Sequence, residues 1–524
     1  MIPIRARPKP AGGPRIVVLA GDATTDRPPL GWRSHPLRRT VIISEDQGHD
    51  PRPTAEEPTE DAAGPQPAGE DQDESPAAPL TIAQFTDNYG PGASGLLYAV
   101  QFLENQVLRA GHRLLVVAPV ADGPNPYAGH DRRREIRLPS VPLPGNPVRI
   151  SMGKDFDYRL AQLIANPPDV IHVHGLGGIG LLGMWVAQRA NRPLIITWHT
   201  DFEAYADHYW HLVPLLNAAY KVYTLHMEGM TWNGLRKTIR FQRPRRGRAQ
   251  IELLQVAAGM LNDADLVTTP SDKTAKRVLE IAPAAKVRVV PNGTDPLPEL
   301  PPVPKGRGPR LLYVGRIAVE KGIDLMLDAF ELVRDHIPQA ELMLVGDWKT
   351  TQPSLRRQLK QAARHSGVKL VGQVPRDKLG AYYSSADLFV FASTTDTQAL
   401  VLHEAAHAGL PFVSIDHELR MVMDPGVNTM FSRPNPVSLA GTIIEMLRAL
   451  EDPEFKARAA ARSRELAAPY TIENQSKEFV KIYEQIAAGE KVSLTDGIEP
   501  DFARPFFGNR KVTAPYEPPA APAE

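Results

Sequence analysis

The chain has 524 residues, with 60 lysines and arginines balanced by 60 aspartates and glutamates, for a formal net charge of zero. A neutral total gives no reason to expect nucleic acid as a partner, and the absence of cysteine excludes a disulfide framework, thiol catalysis and an iron–sulfur centre. No apolar run reaches the ~18 residues a membrane-spanning helix needs, while the length suffices for two domains with full cores.

Residues 1–79 form a non-catalytic preface. Its first 14 residues lack the apolar core of a signal peptide, which points to a cytoplasmic protein. The richness in Ala, Arg and Pro fits a high-GC bacterium. Residues 15–20 and 39–44 have the apolar character of short strands, either a small hairpin or pieces docked on a sheet edge. Residues 45–79 are acidic and rich in Pro, Gly and Ala, with almost no large apolar residue. Such a segment buries too little surface to offset its ordering entropy, so a disordered linker is expected.

From residue 80 strands and helices alternate, which implies parallel sheets joined by right-handed crossovers. Strands are predicted at 81–86, 113–118, 170–173, 194–198 and 266–269, and helices at 94–110, 158–166, 179–190 and 251–262. Gly111 stands where a helix C-terminus wants glycine. The first strand opens into Asp87-Asn-Tyr-Gly-Pro-Gly-Ala-Ser-Gly95, whose glycines let backbone approach a ligand closely; Ser94 and Gly95 stand at its end. His172 and His174 end another strand and share a face. Such a pair could hold a metal only with a third ligand, and no spacing supplies one, so two structural hydrogen-bonders are the better reading and no metal is expected. His199 follows the next strand within Trp198-His-Thr-Asp-Phe. Residues 202–250 are longer than a minimal crossover needs. They carry aromatics, Tyr205 among them, and then a basic run with Arg243, Arg245, Arg246 and Arg248. That run is a solvated loop, a clamp for an anionic acceptor, or a dock for an anionic membrane surface, where each cation contributes ~1 kcal/mol.

A second alternating set begins at residue 310, with strands at 311–314, 341–345, 369–371, 388–391 and 412–415. The first of these ends in Gly315-Arg316, and a short loop delivers Lys321-Gly322 to the next helix. Both cations would stand at the carboxyl end of a parallel strand, where open α/β sheets bind ligands. Arg can fork onto two phosphate oxygens and Lys adds a point charge. The strand at 388–391 leads into Ser393-Thr-Thr-Asp-Thr-Gln-Ala-Leu-Val-Leu-His-Glu404. Asp396 stands in the loop and Glu404 about two turns into the following helix. The backbone N–H groups of Thr397, Gln398 and Ala399 fall at the helix start, where unpaired donors and the dipole favour phosphate. Asp396 is placed to grip sugar hydroxyls and Glu404 a ribose. Residues after 490 look loose.

Taken together and in this order, Gly315-Arg316…Lys321-Gly322, Val345-Gly346-Asp347, Gly372-Gln373-Val374 and Asp396-x7-Glu404 followed by Ala408-Gly-Leu-Pro411 resemble the retaining glycosyltransferases of family 4. The resemblance spans about residues 80–486. Two departures stand out: the first acid, usually Glu, is Asp396, and the Gly usual before the helix is Ala399. The resemblance implies the GT-B fold, two Rossmann-like, doubly wound parallel-sheet α/β domains facing a cleft. Residues 80–290 would form the acceptor-side domain, with a helix at 471–488 packing back on it. Residues 291–470 would bind the sugar nucleotide, hinged near 291–295.

The resemblance also implies a role for each candidate residue. Arg316, Lys321, Asp396 and His199 would be catalytic. Ser94 and Gly95, Gly315 and Gly346, the run Thr397, Gln398, Ala399 and Leu400, and Glu404 would bind the donor. Tyr205, Arg243, Arg245, Arg246 and Arg248 would face acceptor or membrane. The implied reaction is hexose or N-acetylhexosamine transfer from a nucleotide-diphosphate sugar, UDP in first place, by front-face displacement without a metal or other cofactor. The wording around His199 and Asp396 looks most like the branch that glucosylates diacylglycerol, which would make the protein peripheral on the inner membrane face. Related sequences decorate secondary metabolites instead. A GT-B epimerase of UDP-sugars, or a donor-binding scaffold without catalysis, are the alternative functions.

Overall fold

The computed structural model describes residues 78–87, 89, 95–120, 129–142, 149–151, 155–199, 246–365 and 367–501. The expectations for the preface, Ser94, Tyr205, Arg243, Arg245 and the chain beyond 501 lie outside these residues. Arg246 and Arg248 stand in the first turn of the helix Arg246–Asp263, with side chains outside the description.

The first sheet has seven described strands in the order β3-β2-β1-β6-β7-β8-β9. They are β1 (Thr81–Phe85), β2 (Arg113–Pro119), β3 (Arg133–Leu138), β6 (Val170–Val173), β7 (Leu194–Thr197), β8 (Leu266–Thr269) and β9 (Val287–Val289). A separate antiparallel pair, β4 (Ser140–Pro142) and β5 (Arg149–Ser151), lies between β3 and β6 in the chain. All pairs in the large sheet are parallel. Helices cover both faces, so β6, β7 and β8 are buried at every position and read as unbroken apolar runs. The edge strand β3, Arg-Arg-Glu-Ile-Arg-Leu, carries no such run, and no strand is predicted there from the sequence.

The second sheet has six strands, β12-β11-β10-β13-β14-β15, again parallel throughout. These are β10 (Arg310–Val314), β11 (Glu341–Val345), β12 (Val368–Gly372), β13 (Leu388–Phe391), β14 (Phe412–Ser414) and β15 (Thr429–Phe431). Each sheet has an apolar cluster on either face. Strand order reverses between β1 and β6 in one sheet and between β10 and β13 in the other. Loops leaving neighbouring strands at such a point splay to opposite faces and open a crevice. The loops at these two points carry Asp87, His174, Gly315-Arg316 and Ser393 to Asp396.

The chain crosses between sheets twice, and the crossings are tied together. The Gly293 N–H donates to Gln475 Oε1 at 2.9 Å, and the Thr294 N–H donates to the Tyr470 carbonyl at 2.9 Å. The returning helix Ile472–Ala487 packs Phe479, Ile482 and Tyr483 into the first domain's core beside Ile82, Leu114 and Val170. The segment expected to hang loose after 490 does not do so up to 501. The Thr495 N–H donates to the Val287 carbonyl, the Val289 N–H donates to Thr495 Oγ1, and Ile498 packs on the core. It covers the edge strand β9, whose unpaired backbone would otherwise face solvent.

Candidate active site

The loop between β13 and the helix Leu400–His407 sits at the reversal point of the second sheet. Ala399 is the N-cap of that helix and adopts φ 61°, ψ 80°, the left-handed region, where glycine carries no side-chain penalty. The conformation thus favours the glycine that the resemblance leads one to expect at this position. The helix therefore begins at Leu400, and Glu404 lies about one turn in rather than two. Among the described residues the N–H groups of Thr397, Gln398 and Ala399 have no acceptor. They remain available to an anion at the helix start.

Asp396 faces Lys321, with Nζ 2.7 Å from Oδ1. Burial works against the carboxylate's charge, but the Lys321 ammonium, Ser393 and the more distant Lys273 together hold Asp396 below the ordinary carboxylate range. Lys321 ends a short 3-10 turn, Val319–Lys321, and Gly322 follows at φ 66°. A Cβ on Gly322 would collide with the Ala392 carbonyl, so the turn can lie against β13 only with glycine there. Gly315 and Gly346 meet in the same way, since a Cβ on Gly346 would strike the Gly315 carbonyl. Backbone thus lines the crevice floor. Arg316 points outward, half exposed, and pairs with Glu320 at 2.8 Å.

Glu404 is 3 % exposed. Tyr383 OH donates to its Oε2 at 2.7 Å, and Arg376 Nη1 pairs with Oε1. Arg376 also donates to Thr294 Oγ1 at 2.6 Å and lies over the Phe102 ring of the first domain. The acid expected at a ribose is thereby oriented by two partners, 21 and 28 residues away in the chain.

On the first domain, His172, His174 and His199 stack in series. Ring centroids are 3.9 Å apart for the first pair and 5.5 Å for the second. His172 is held between Tyr483 OH at 2.6 Å and Thr197 Oγ1 at 2.5 Å. His174 Nδ1 lies 3.3 Å from His199 Nε2. Burial holds all three imidazoles neutral, His199 down to about 3. Among the described residues no group of three His, Cys, Asp or Glu side chains is arranged to hold a metal.

Two features pin the roots of the Gly-rich loop, and sequence reading finds neither. Asp87 accepts from the Ile179 N–H at 2.8 Å and the Gly180 N–H at 3.3 Å, capping the helix Gly178–Ala190. Burial pushes its carboxyl up to about 6. Tyr89 is clamped by Arg133, which donates to its OH at 3.0 Å, and by Arg137, which lies over its ring. Arg133 also bonds the buried Glu104 at 3.0 Å, so this one charge of β3 is matched inside the domain. Gly95 is the first residue of the helix Gly95–Arg109.

Two family models match this architecture. The one described as Glycosyltransferase Family 4 covers residues 95–296, and the one described as Glycosyl transferases group 1 covers residues 308–449. The chain belongs to the family 4 glycosyltransferases. An alpha-monoglucosyldiacylglycerol synthase of Streptococcus pneumoniae is 25 % identical over 71 % of this chain and 79 % of its own length. A GDP-mannose-dependent alpha-mannosyltransferase of Mycolicibacterium smegmatis is 24 % identical over 64 % of this chain and 80 % of its own. The structure of Anabaena HepE in complex with UDP and glucose superposes with a TM-score of 0.56 at 16 % identity, covering 78 % of this chain and all of that one. This glycosyltransferase accordingly has the GT-B fold. None of its described helices is long and apolar enough to cross a membrane.

Proposed function

We propose that this enzyme moves a hexose from a UDP-sugar to the hydroxyl of a membrane glycerolipid, with retention at the anomeric carbon. The observation that carries the reading is the meeting of Lys321, Asp396 and the free N–H groups of Thr397 to Ala399 at one reversal point. An entering diphosphate takes up Lys321 and Arg316 and lies on the helix start, while Asp396 turns to the sugar hydroxyls and Glu404 to the ribose. The acceptor oxygen bonds to the anomeric carbon as the bond to the β-phosphate oxygen breaks on the same face. The acceptor's proton leaves with that phosphate oxygen. Two cations and aligned N–H dipoles stabilise the charge growing on the diphosphate, so the reading needs no metal. Closure of the two domains excludes water and limits donor hydrolysis.

The diacylglycerol acceptor and peripheral membrane attachment rest on the name of the S. pneumoniae relative and on the basic run 236–248. The mannosyltransferase relative gives GDP-mannose as the second donor to try. A screen of UDP- and GDP-sugars for nucleotide release, with and without dioleoylglycerol vesicles, tests the reading. Acceptor-dependent UDP release supports it. A changed sugar nucleotide formed without acceptor would establish an epimerase in its place.

A further inference from the structure

The helix Asp272–Ile281 belongs to the first domain, yet its first turn reaches the acid loop of the second. Lys273 Nζ donates to the Thr394 carbonyl at 2.7 Å and pairs with Asp416 Oδ2 at 2.6 Å. Ser271 Oγ and Thr274 Oγ1 both donate to the Thr397 carbonyl, the latter at 3.1 Å. Thr397 Oγ1 donates back to the His199 carbonyl at 3.1 Å. Lys273 and Asp416 have side chains 12 % and 3 % exposed, so this is an interior ion pair whose loss leaves a buried charge unmatched.

The loop gripped in this way is strained. Of the described residues other than glycine, Asn191 and Ala399 alone have positive φ. Asn tolerates the left-handed region at a helix C-cap, whereas Ala there sets its Cβ against the following carbonyl. Such a conformation persists only where the surroundings over-determine it. At Ala399 the preceding residue is locked in both directions: the Asn292 N–H donates to Gln398 Oε1 at 2.8 Å, and Gln398 Nε2 donates to the Asn292 carbonyl at 2.9 Å. Within the second domain Lys321 holds Asp396 and Thr395 Oγ1 donates to the Glu320 carbonyl at 3.2 Å, while the restraint from across the cleft comes from Ser271, Lys273, Thr274 and the His199 carbonyl.

We infer that Lys273, with Ser271 and Thr274, is a positioning device that holds the acid loop in its strained donor-binding shape only while the two domains are closed. Opening the cleft withdraws the partners of Thr394 and Thr397. The strain at Ala399 then relaxes, and Asp396 and the N–H groups of Thr397 to Ala399 lose their common alignment. Closure and assembly of the donor site become one event, which keeps the sugar nucleotide from water until the acceptor side is in place. The inference rests on the donor site proposed above.

The test uses the full chain as wild type, Lys273→Met, Lys273→Arg, Ala399→Gly and the Lys273→Met/Ala399→Gly double variant. Three quantities are measured: the radius of gyration without nucleotide by small-angle scattering, binding of UDP and of GDP by calorimetry, and donor KM and kcat. Lys273→Met is expected to enlarge the radius, weaken nucleotide binding about tenfold and raise donor KM more than it lowers kcat. Lys273→Arg is expected to keep wild-type values. Adding Ala399→Gly to Lys273→Met should recover much of the lost affinity, because glycine holds the loop shape without the clamp. A Lys273→Met protein with unchanged radius and nucleotide affinity would overturn the inference. So would a double variant no better than Lys273→Met alone. Should wild type bind neither nucleotide, the donor-site reading fails, while the radius still decides whether Lys273 holds the domains closed.

Discussion

Lys321 Nζ lies 2.7 Å from Asp396 Oδ1, so the cation assigned to the leaving diphosphate and the acid assigned to the sugar form one ion pair. Arg316, the other cation, pairs instead with Glu320 four residues on and is 51 % exposed. The two cations share a proposed role in catalysis and differ in what holds them.

Arg316→Ala should cut turnover by roughly 2–4 kcal/mol of barrier, the loss found on removing one preorganised donor to developing charge. Its melting temperature should hardly change, since exposed substitutions stay within about 0.5 kcal/mol. Lys321→Ala should lose comparable activity and also about 1–2 kcal/mol of stability, because Asp396 is left partly buried without its counter-charge. Denaturant midpoints and single-turnover rates for both variants check the contrast. Equal stabilities would show that the pair contributes nothing to the fold.

Asp87 offers a test on pH. Its carboxyl is raised by burial from 3.8 to about 6, so the folded state binds a proton that the unfolded state releases between those values. This contribution to stability is fully present below pH 3.8 and lost as pH rises through about 6. Asp87→Asn cannot ionise, and at pH 8 it should be more stable than wild type by on the order of 2–3 kcal/mol, an advantage that vanishes near pH 4. Urea melts at both pH values measure it. An Asn variant less stable at pH 8 would mean that the helix N-terminus at Gly178 favours the anion by more than burial disfavours it.

Much of this architecture is legible in the sequence because parallel strands buried on both faces are short apolar runs, as at β6, β7 and β13. The β13–loop–helix unit and the Lys321-Gly322 turn are legible for a different reason: their acids, cations and glycine stand at fixed local spacing. β3 is invisible because its buried Arg133 is satisfied by Glu104 and Tyr89, 29 and 44 residues away. The partners of Glu404 and the Lys273 contact to Thr394, 121 residues distant, are likewise products of the tertiary fold. The depth of Glu404 in its helix depends on Ala399 turning left-handed, which no propensity for alanine suggests.

The C-terminal segment gives a stability prediction. A chain ending at residue 489 exposes the β9 edge and loses the Thr495 bonds and the Ile498 contact. It should melt lower than wild type and aggregate on heating, whereas a chain ending at 501 should behave as wild type. Differential scanning calorimetry with light scattering compares them. Identical behaviour of the two truncations would show that the segment adds nothing to the sheet.

The basic run gives a membrane prediction. Full-length protein should sediment with anionic liposomes at low salt and release as salt rises, since the Debye length falls to ~8 Å at physiological ionic strength. Replacing Arg243, Arg245, Arg246 and Arg248 with Gln should abolish sedimentation and leave donor hydrolysis intact. If wild type ignores liposomes and glycosylates a soluble acceptor, the run serves a small anionic molecule or solvent.

The central claim is retaining transfer from a sugar nucleotide, and the anomeric configuration of the product tests it most directly. Purified enzyme is incubated with UDP-α-glucose and dioleoylglycerol in anionic vesicles, and the glycolipid is examined by NMR while UDP is counted. The account predicts an α-glucoside, one UDP released for each glycolipid formed, and loss of both in Arg316→Ala. A β-linked product would contradict retention, and UDP release with no glycoside on any acceptor offered would contradict transfer itself.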